Sequence, residues 1–460
     1  MSTAQRSPGR LSRRALSDWL GAAALLSLLL SWSVVTQSLI LGSGAGGWTY
    51  GYVSAFSPGM LLMATAATVL AAALLFGTRH AQRDWPVVLA WIALSLCLDA
   101  LMRSTTPFGF ARLFASDGAN AFYGVTGHFR ASAVLGDFDR VRAQWPLHAQ
   151  SNMPGKLMLV YALGTFSRDP GVLAWLAVLV SNAGAAAMYS FVRELFDDRR
   201  IAMYSAVLYL CVPAKLYFFP LLNTVTPVIA LACAALLLKW LRSGSAVYAA
   251  ALGAALYGLV FFEPLPLVMG LLFALLVVRA QRLGQTTWRQ VLIHAGTGMA
   301  AWLVTYGAVR LLTGFDLLSA FRQIGGHAVQ FNADAGRPYS IWVRANLGEF
   351  LFGVGVCPAI LFVAALADGF RGSTSWRDRL TNPIIVLCAG IAAVLLVTDA
   401  IGVNRGEVIR LWIFLACFFQ IPAAYVCARL DTRWAITLVL AVTILQATLG
   451  TAMIGFIVPG

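Results

Sequence analysis

The sequence predicts an all-α, polytopic integral membrane protein, and three observations carry that prediction. Hydrophobic residues make up 60% of the chain and charged residues only 11%, with a mean hydropathy of +0.77. A water-soluble chain of 460 residues has no interior large enough to take so much apolar surface. Second, apolar runs of roughly 18 residues or more recur along the whole length, long enough for a helix to cross a bilayer. They are continuous rather than alternating, which excludes a transmembrane β-barrel. Third, basic residues gather in short loops between the runs, as the orientation rule for helical membrane proteins requires. This distribution accounts for the net charge of +14 without a nucleic-acid partner.

In chain order the pattern gives about thirteen spans: 19–41, 58–76, 85–102, 171–191, 201–218, 222–242, 247–262, 265–280, 290–312, 346–366, 383–400, 408–428 and 434–457. Arg6, Arg10, Arg13 and Arg14 precede the first span and place the N-terminus in the cytoplasm. That span is long and lacks a small-residue cleavage site, so it reads as retained. The next basic groups are Arg79 with Arg83, then Arg193, Arg199 and Arg200, then Arg242. Arg279, Arg282 and Arg289 follow, then Arg371, Arg377 and Arg379, and finally Arg429 and Arg433. All of these share the cytoplasmic side on one condition: the short apolar stretch 157–166 must not cross. It is too short to span and reads as an interfacial or re-entrant helix. Residues 103–170 then form a large outer first loop with juxtamembrane helices, and 314–344 a second outer loop. Residues 401–407 are a short third one, and the C-terminus lies outside. With no internal repeat, residues 1–460 read as a single integral domain in the cytoplasmic (inner) membrane. The seven cysteines lie in or beside apolar spans, without metal-ligand spacing, and read as small packing residues.

The polar segment 103–156 is where chemistry is expected. It holds Asp117, Asp137 and Asp139, and two of the chain's five histidines, His128 and His148. Asp117, in SDGANAFYG, follows the third span closely. A carboxylate there can take a proton from an attacking hydroxyl, and Ser116-Asp117-Gly118 is equally good turn chemistry. Asp137 and Asp139, in GDFD, can offer oxygen ligands to a divalent cation or face water on a loop helix. In SNMPGKLMLVYAL, Pro154 suits a first helical turn and Asn152 a cap. Lys156 then stands at the positive end of a surface helix, where it can meet a phosphate or snorkel to the interface. Glu263, in FFEPLP, is costly against lipid and marks either a polar site or the end of a hairpin. Arg405 and Arg410 flank Glu407 at the outer interface, against the orientation rule. They can pair with an anionic headgroup or with Glu407. The second outer loop adds His327, Asp334, Arg337 and Tyr339, with Arg344 and Glu349 beside the next span, and could shape an acceptor site.

Together these pieces resemble the GT-C superfamily of bacterial membrane glycosyltransferases, which take sugars from polyprenyl-phosphate carriers. The likeness rests on SDGANAFYG in the first outer loop, HAQSNMPGKLMLVYALGTF at its close, and RELFDDRRIAMYSAVLYLCVPAKLYFFPLLNTVTP after it. GEVIRLWIFL adds to it. It covers about 100–240 with moderate strength and 406–415 weakly, so that 85–242 would be the family-like module. It implies inverting transfer from a polyprenyl-phosphate sugar to a glycan, lipid or protein hydroxyl at the outer membrane face. Asp117 matches the base. Lys156 and Arg410, with Arg405 beside them, match positions that meet the carrier phosphate. Tyr123, His128, His148, Glu263, His327 and Glu407 would support the substrate site. No nucleotide is called for, because no glycine loop follows a strand. The chain departs from the pattern where Asp117 is followed by Gly118 instead of a second acid, where the HPP-like signature is altered, and where two spans precede the module. The rival readings are a transporter or flippase for lipid or sugar-lipid, with Glu263 and Asp399 as intramembrane charges, and a non-catalytic scaffold of the same fold.

Overall fold

The computed structural model describes residues 10–78, 81–119 and 121–459, apart from the side chains of residues 328 and 329. Arg6 and Arg79 lie outside the described residues. The chain is a multi-pass helical membrane protein. Among the described residues, eleven helices are long and apolar enough to cross a bilayer, or up to 12 if a bent pair counts as one. The described strands are one short ribbon, Gly42–Ser43 against Trp48–Thr49.

Local chemistry sets the helix ends. Ser12 accepts from the Ala15 amide, Asp198 from those of Arg200 and Ile201, and Asp169 from that of Val172 ahead of Pro170. Thr287 and Gln290 form a capping box. The first helix is Arg13–Val35, several residues earlier than the hydropathy run 19–41, because Ser12 caps it there. The stretch 157–166 is the nine-residue helix Gly155–Leu163, too short to span. The second loop is largely a helix too, Leu317–Asp334, capped by Asp316.

Two spans differ from their hydropathy runs. The run 346–366 is a broken element: Tyr339–Val354 and Val356–Arg371 meet at 98° around Gly355, whose φ is +95°. Backbone groups freed at such a break must find partners, since lipid offers none. The Val356 amide donates to Gln446 Oε1 (3.0 Å), while Gln446 Nε2 donates to the Phe352 carbonyl (2.8 Å) and Gln420 Nε2 to that of Val354 (3.0 Å). The run 408–428 is likewise divided into Val408–Leu411, Ile413–Phe418 and Gln420–Leu430. Trp288–Thr313 buries none of its residues. It packs on Ala246–Phe262 where Gly253 and Gly298 bring the two backbones close, the small-residue device of membrane helix pairs.

The connections gather at two ends of the bundle. At one, Asp368 binds the Leu11 amide, Tyr425 and Arg429, and Arg200 pairs with Asp431. At the other, the Gly51–Val53 backbone meets Met453 and Gly455, and the loop 104–169 folds into short helices. These share an apolar core of Phe114, Phe138, Trp145 and Leu157 with Phe315 of the second loop. Between the ends runs a buried polar network that hydropathy did not reveal. Asn182 Nδ2 donates to Asp99 Oδ2 (2.7 Å) and Ser95 Oγ (2.8 Å), and Lys215 Nζ donates to Asn182 Oδ1 (3.1 Å). Asp99, Asn182 and Lys215 are fully buried. Asp399, a second intramembrane acid, accepts from Asn346 (3.0 Å).

Candidate functional site

At the loop end, five segments enclose a cavity of about 450 Å³: the Leu147–Gln150 helix with its flank, the 263–268 hairpin, the Leu317–Asp334 helix, Arg337, and the 401–411 segment. Leu265, Val268, Phe321, Ile324 and Leu411 give it an apolar wall; Arg337, Arg405 and Arg410 converge on the same space with Glu407, Glu263 and His148.

The 402–411 segment owes its shape to neighbouring polar side chains. Asn346 Oδ1 accepts from the Gly406 amide (3.0 Å) and Glu349 Oε2 from that of Val408 (3.1 Å). Gly406 takes φ +82° under the Trp342 ring, where a Cβ would meet the indole at 2.8 Å. Arg337 and Arg405 exchange bonds: each Nη1 donates to the other's carbonyl, at 2.7 and 2.8 Å. Glu407 stands at φ +58°, a region few non-glycine residues occupy and one that recurs at binding sites. Its carboxylate bridges Arg410 Nη2 (2.6 Å) and Arg337 Nη2 (3.3 Å), and the two guanidinium groups hold its pKa below the ordinary range against the opposing effect of burial. Arg410 Nε is buried and has no hydrogen-bond partner among the described residues. Arg337, expected with the other second-loop residues to shape an acceptor site, instead lines this cavity beside Arg405 and Arg410.

Lys156 is fully buried behind this wall. Its Nζ lies 3.0 Å from Glu263 Oε2 and donates to Asn152 Oδ1 (2.7 Å). Glu263 Oε2 also accepts from Thr226 (2.6 Å). Burial lowers the Lys156 pKa and Glu263 partly restores it. Gly155 makes this pairing possible, because a Cβ there would come within 2.6 Å of the Phe261 carbonyl and Phe262 Cα. Asn152 does not cap the helix as expected. Pro154 takes the N-cap position without a side-chain cap, and Asn152 spends its amide on Lys156 and the His148 carbonyl.

His148 lines the cavity, with the Gly118 backbone close to its ring. Burial lowers its pKa, and the Arg410 charge lowers it further, which favours the neutral ring. Through this approach the Asp117 turn comes beside the cavity. Asp117 itself is exposed, does not line the cavity, and rests its carboxylate on Gly124. Tyr123 and His128 line a different space, with the Tyr123 hydroxyl on the Arg168 carbonyl (3.1 Å) and His128 Nδ1 bonded to the Gly124 carbonyl (2.8 Å). His327 lies outside the cavity wall, its Nε2 buried with no hydrogen-bond partner among the described residues. Asp139 accepts from Ser319 (3.1 Å), and no cluster of three or more His, Cys, Asp or Glu side chains suited to a metal ion occurs among the described residues.

The structure therefore brings His148, Glu263, Arg405, Glu407 and Arg410 to one cavity, with Lys156 directly behind Glu263, and leaves Tyr123, His128, His327, Asp137 and Asp139 apart. An apolar wall beside convergent guanidinium groups can hold an amphiphile with an anionic head. Comparison with protein-family models gives no match to this chain, and neither does comparison with curated proteins.

Proposed function

We propose that the protein is a membrane glycosyltransferase that moves a sugar from a polyprenyl-phosphate carrier to an acceptor hydroxyl, with inversion. The observation that carries this reading is the cavity in which Arg337, Arg405 and Arg410 meet an apolar wall at the loop end. The carrier's chain would lie along that wall and its phosphate on the arginines, competing with Glu407 for Arg337 and Arg410. The phosphate leaves with additional negative charge, so fixed guanidinium groups there stabilise the transition state more than the ground state. Asp117, one residue from the Gly118 contact with His148, would take the acceptor proton.

The finer topology belongs to the same reading. The first described residues bind at the Asp368 end and the last pair with Gly51 at the other, which supports an odd number of crossings. Ala246–Phe262 and the bent pair, as one crossing each, with the 11 long helices among the described residues, would make thirteen. The basic short loops would then put the loop end on the outer face of the cytoplasmic membrane.

The test is incubation of purified protein with labelled polyprenyl-phosphate sugars. Transfer or hydrolysis is expected, abolished by Asp117→Asn with carrier binding retained. Full turnover in that variant would remove Asp117 from the mechanism. The broken span at Gly355 gives the transporter reading some footing, since transporters bind at broken helices. Here, however, glutamine side chains fill the break. Movement of the carrier across vesicles without chemistry would favour the transporter.

A further inference from the structure

The Asp117 turn touches the walls of two cavities. Through Gly118 and His148 it meets the arginine cavity. Through the carboxylate resting on Gly124 it meets a second, larger groove of about 1070 Å³ between the Phe122–His128 and Gly155–Leu163 helices. The chemistry of the two is different. In the groove, Tyr123 and Tyr161 present rings whose hydroxyls are tied down on the carbonyls of Arg168 and Phe129. The rings are therefore fixed faces rather than mobile side chains. Gly164 adds no side chain to the wall beside Tyr161, and at Gly124 the adjoining group is the Asp117 carboxylate. Among the described residues no carboxylate lines the groove itself, while Arg130 and Arg168 do. Both are exposed, and neither guanidinium has a side-chain hydrogen bond or ion pair among the described residues. In the first cavity, by contrast, each arginine is already bonded to a carboxylate or a carbonyl.

Flat aromatic faces suit the C–H faces of sugar rings, and unpaired guanidinium groups suit a planar or tetrahedral anion. We infer that this groove binds an acidic saccharide, with sugar rings against Tyr123 and Tyr161 and the anionic group on Arg130 and Arg168. Its role as the acceptor side rests on the transfer reading above, whereas the binding does not.

The experiment uses the full chain in nanodiscs of zwitterionic lipid, with trigalacturonate as acidic probe and maltotriose as neutral control, followed by calorimetry. Trigalacturonate should bind the wild type, and the Arg130→Gln/Arg168→Gln variant should bind it roughly a hundredfold less tightly, about tenfold for each charge-assisted contact. Maltotriose should bind weakly and equally to both proteins. Binding of polyprenyl phosphate should be unchanged in the variant, which also shows that it is folded. Equal trigalacturonate affinity in the two proteins, or none in the wild type, overturns the inference. So does arginine-dependent binding of phosphatidylglycerol vesicles without trigalacturonate binding, which would make the groove a lipid-headgroup site. If Asp117→Asn keeps full turnover while trigalacturonate binding still depends on the arginines, the transfer assignment fails and the groove stands.

Discussion

Glu263→Gln should destabilise the protein, and the size of the effect should fall as pH rises. Lys156 is fully buried, with Glu263 Oε2 at 3.0 Å as its only ion-pair partner among the described residues. At an effective dielectric of about 20, an attraction over that distance is about 5–6 kcal/mol. Losing it would leave a buried cation, and a lysine has a cheaper alternative, which is to give up its proton. Against an unfolded pKa of about 10.4, deprotonation costs about 4 kcal/mol at pH 7.4 and about 2 kcal/mol at pH 9. The smaller number wins, so the destabilisation should stop near 4 kcal/mol at pH 7.4 and shrink by roughly 1.4 kcal/mol per pH unit above it. The sign follows from linkage: burial already lowers the Lys156 pKa, the variant lowers it further, and the unfolded chain then binds the extra proton. Raising pH removes that advantage of the unfolded state. Unfolding titrations in mixed micelles at pH 7.4 and 9 measure this. Lys156→Met combined with Glu263→Gln should recover most of the loss, since replacing both members of a buried pair is far milder than removing one. A single variant as stable as wild type at pH 7.4, or a deficit that does not change with pH, would refute the reasoning and return Lys156 to the role of a free phosphate ligand.

His148 makes anion binding proton-linked. Its pKa is lowered by burial and by Arg410, and an anion bound beside it raises it. Affinity for polyprenyl-phosphate sugar should therefore increase as pH falls below about 6.5, and His148→Gln should flatten that profile; the same acidification works against the fold, because the unfolded histidine is protonated first. At the broken span, Gln446→Leu strands the Val356 amide, while the Phe352 carbonyl keeps the Gly355 amide (3.2 Å) as a donor. At about 1–3 kcal/mol for a buried unpaired group, a loss of roughly 1–3 kcal/mol is expected in the same micelle titration, and no measurable loss would mean that other groups rescue the break.

Hydropathy and charge are local properties, and what they specify was legible in the chain. They gave the long apolar helices and the short helix at 157–166 that does not span. Of the candidate residues named from type and setting, Arg405, Glu407, Arg410, His148 and Glu263 line one cavity, while Asp117, Asp137 and Asp139 of the polar first loop do not. Partner choice could not be read, because it depends on which helices pack side by side. Lys156 reaches Glu263 because Gly155 admits the Phe262 backbone, a contact between segments more than a hundred positions apart. Arg337 joins the cavity because the 402–411 segment is pinned to Asn346 and Glu349. A hydropathy window averages over the break at Gly355, since glutamines that cap it come from other spans. The sequence by itself thus determined what must sit in a bilayer and what must not, because transfer from water is paid residue by residue. Only the tertiary structure decided which buried charges neutralise one another and which arginines stay free, because ion pairing acts over a few ångströms between groups that the chain brings together only when it folds.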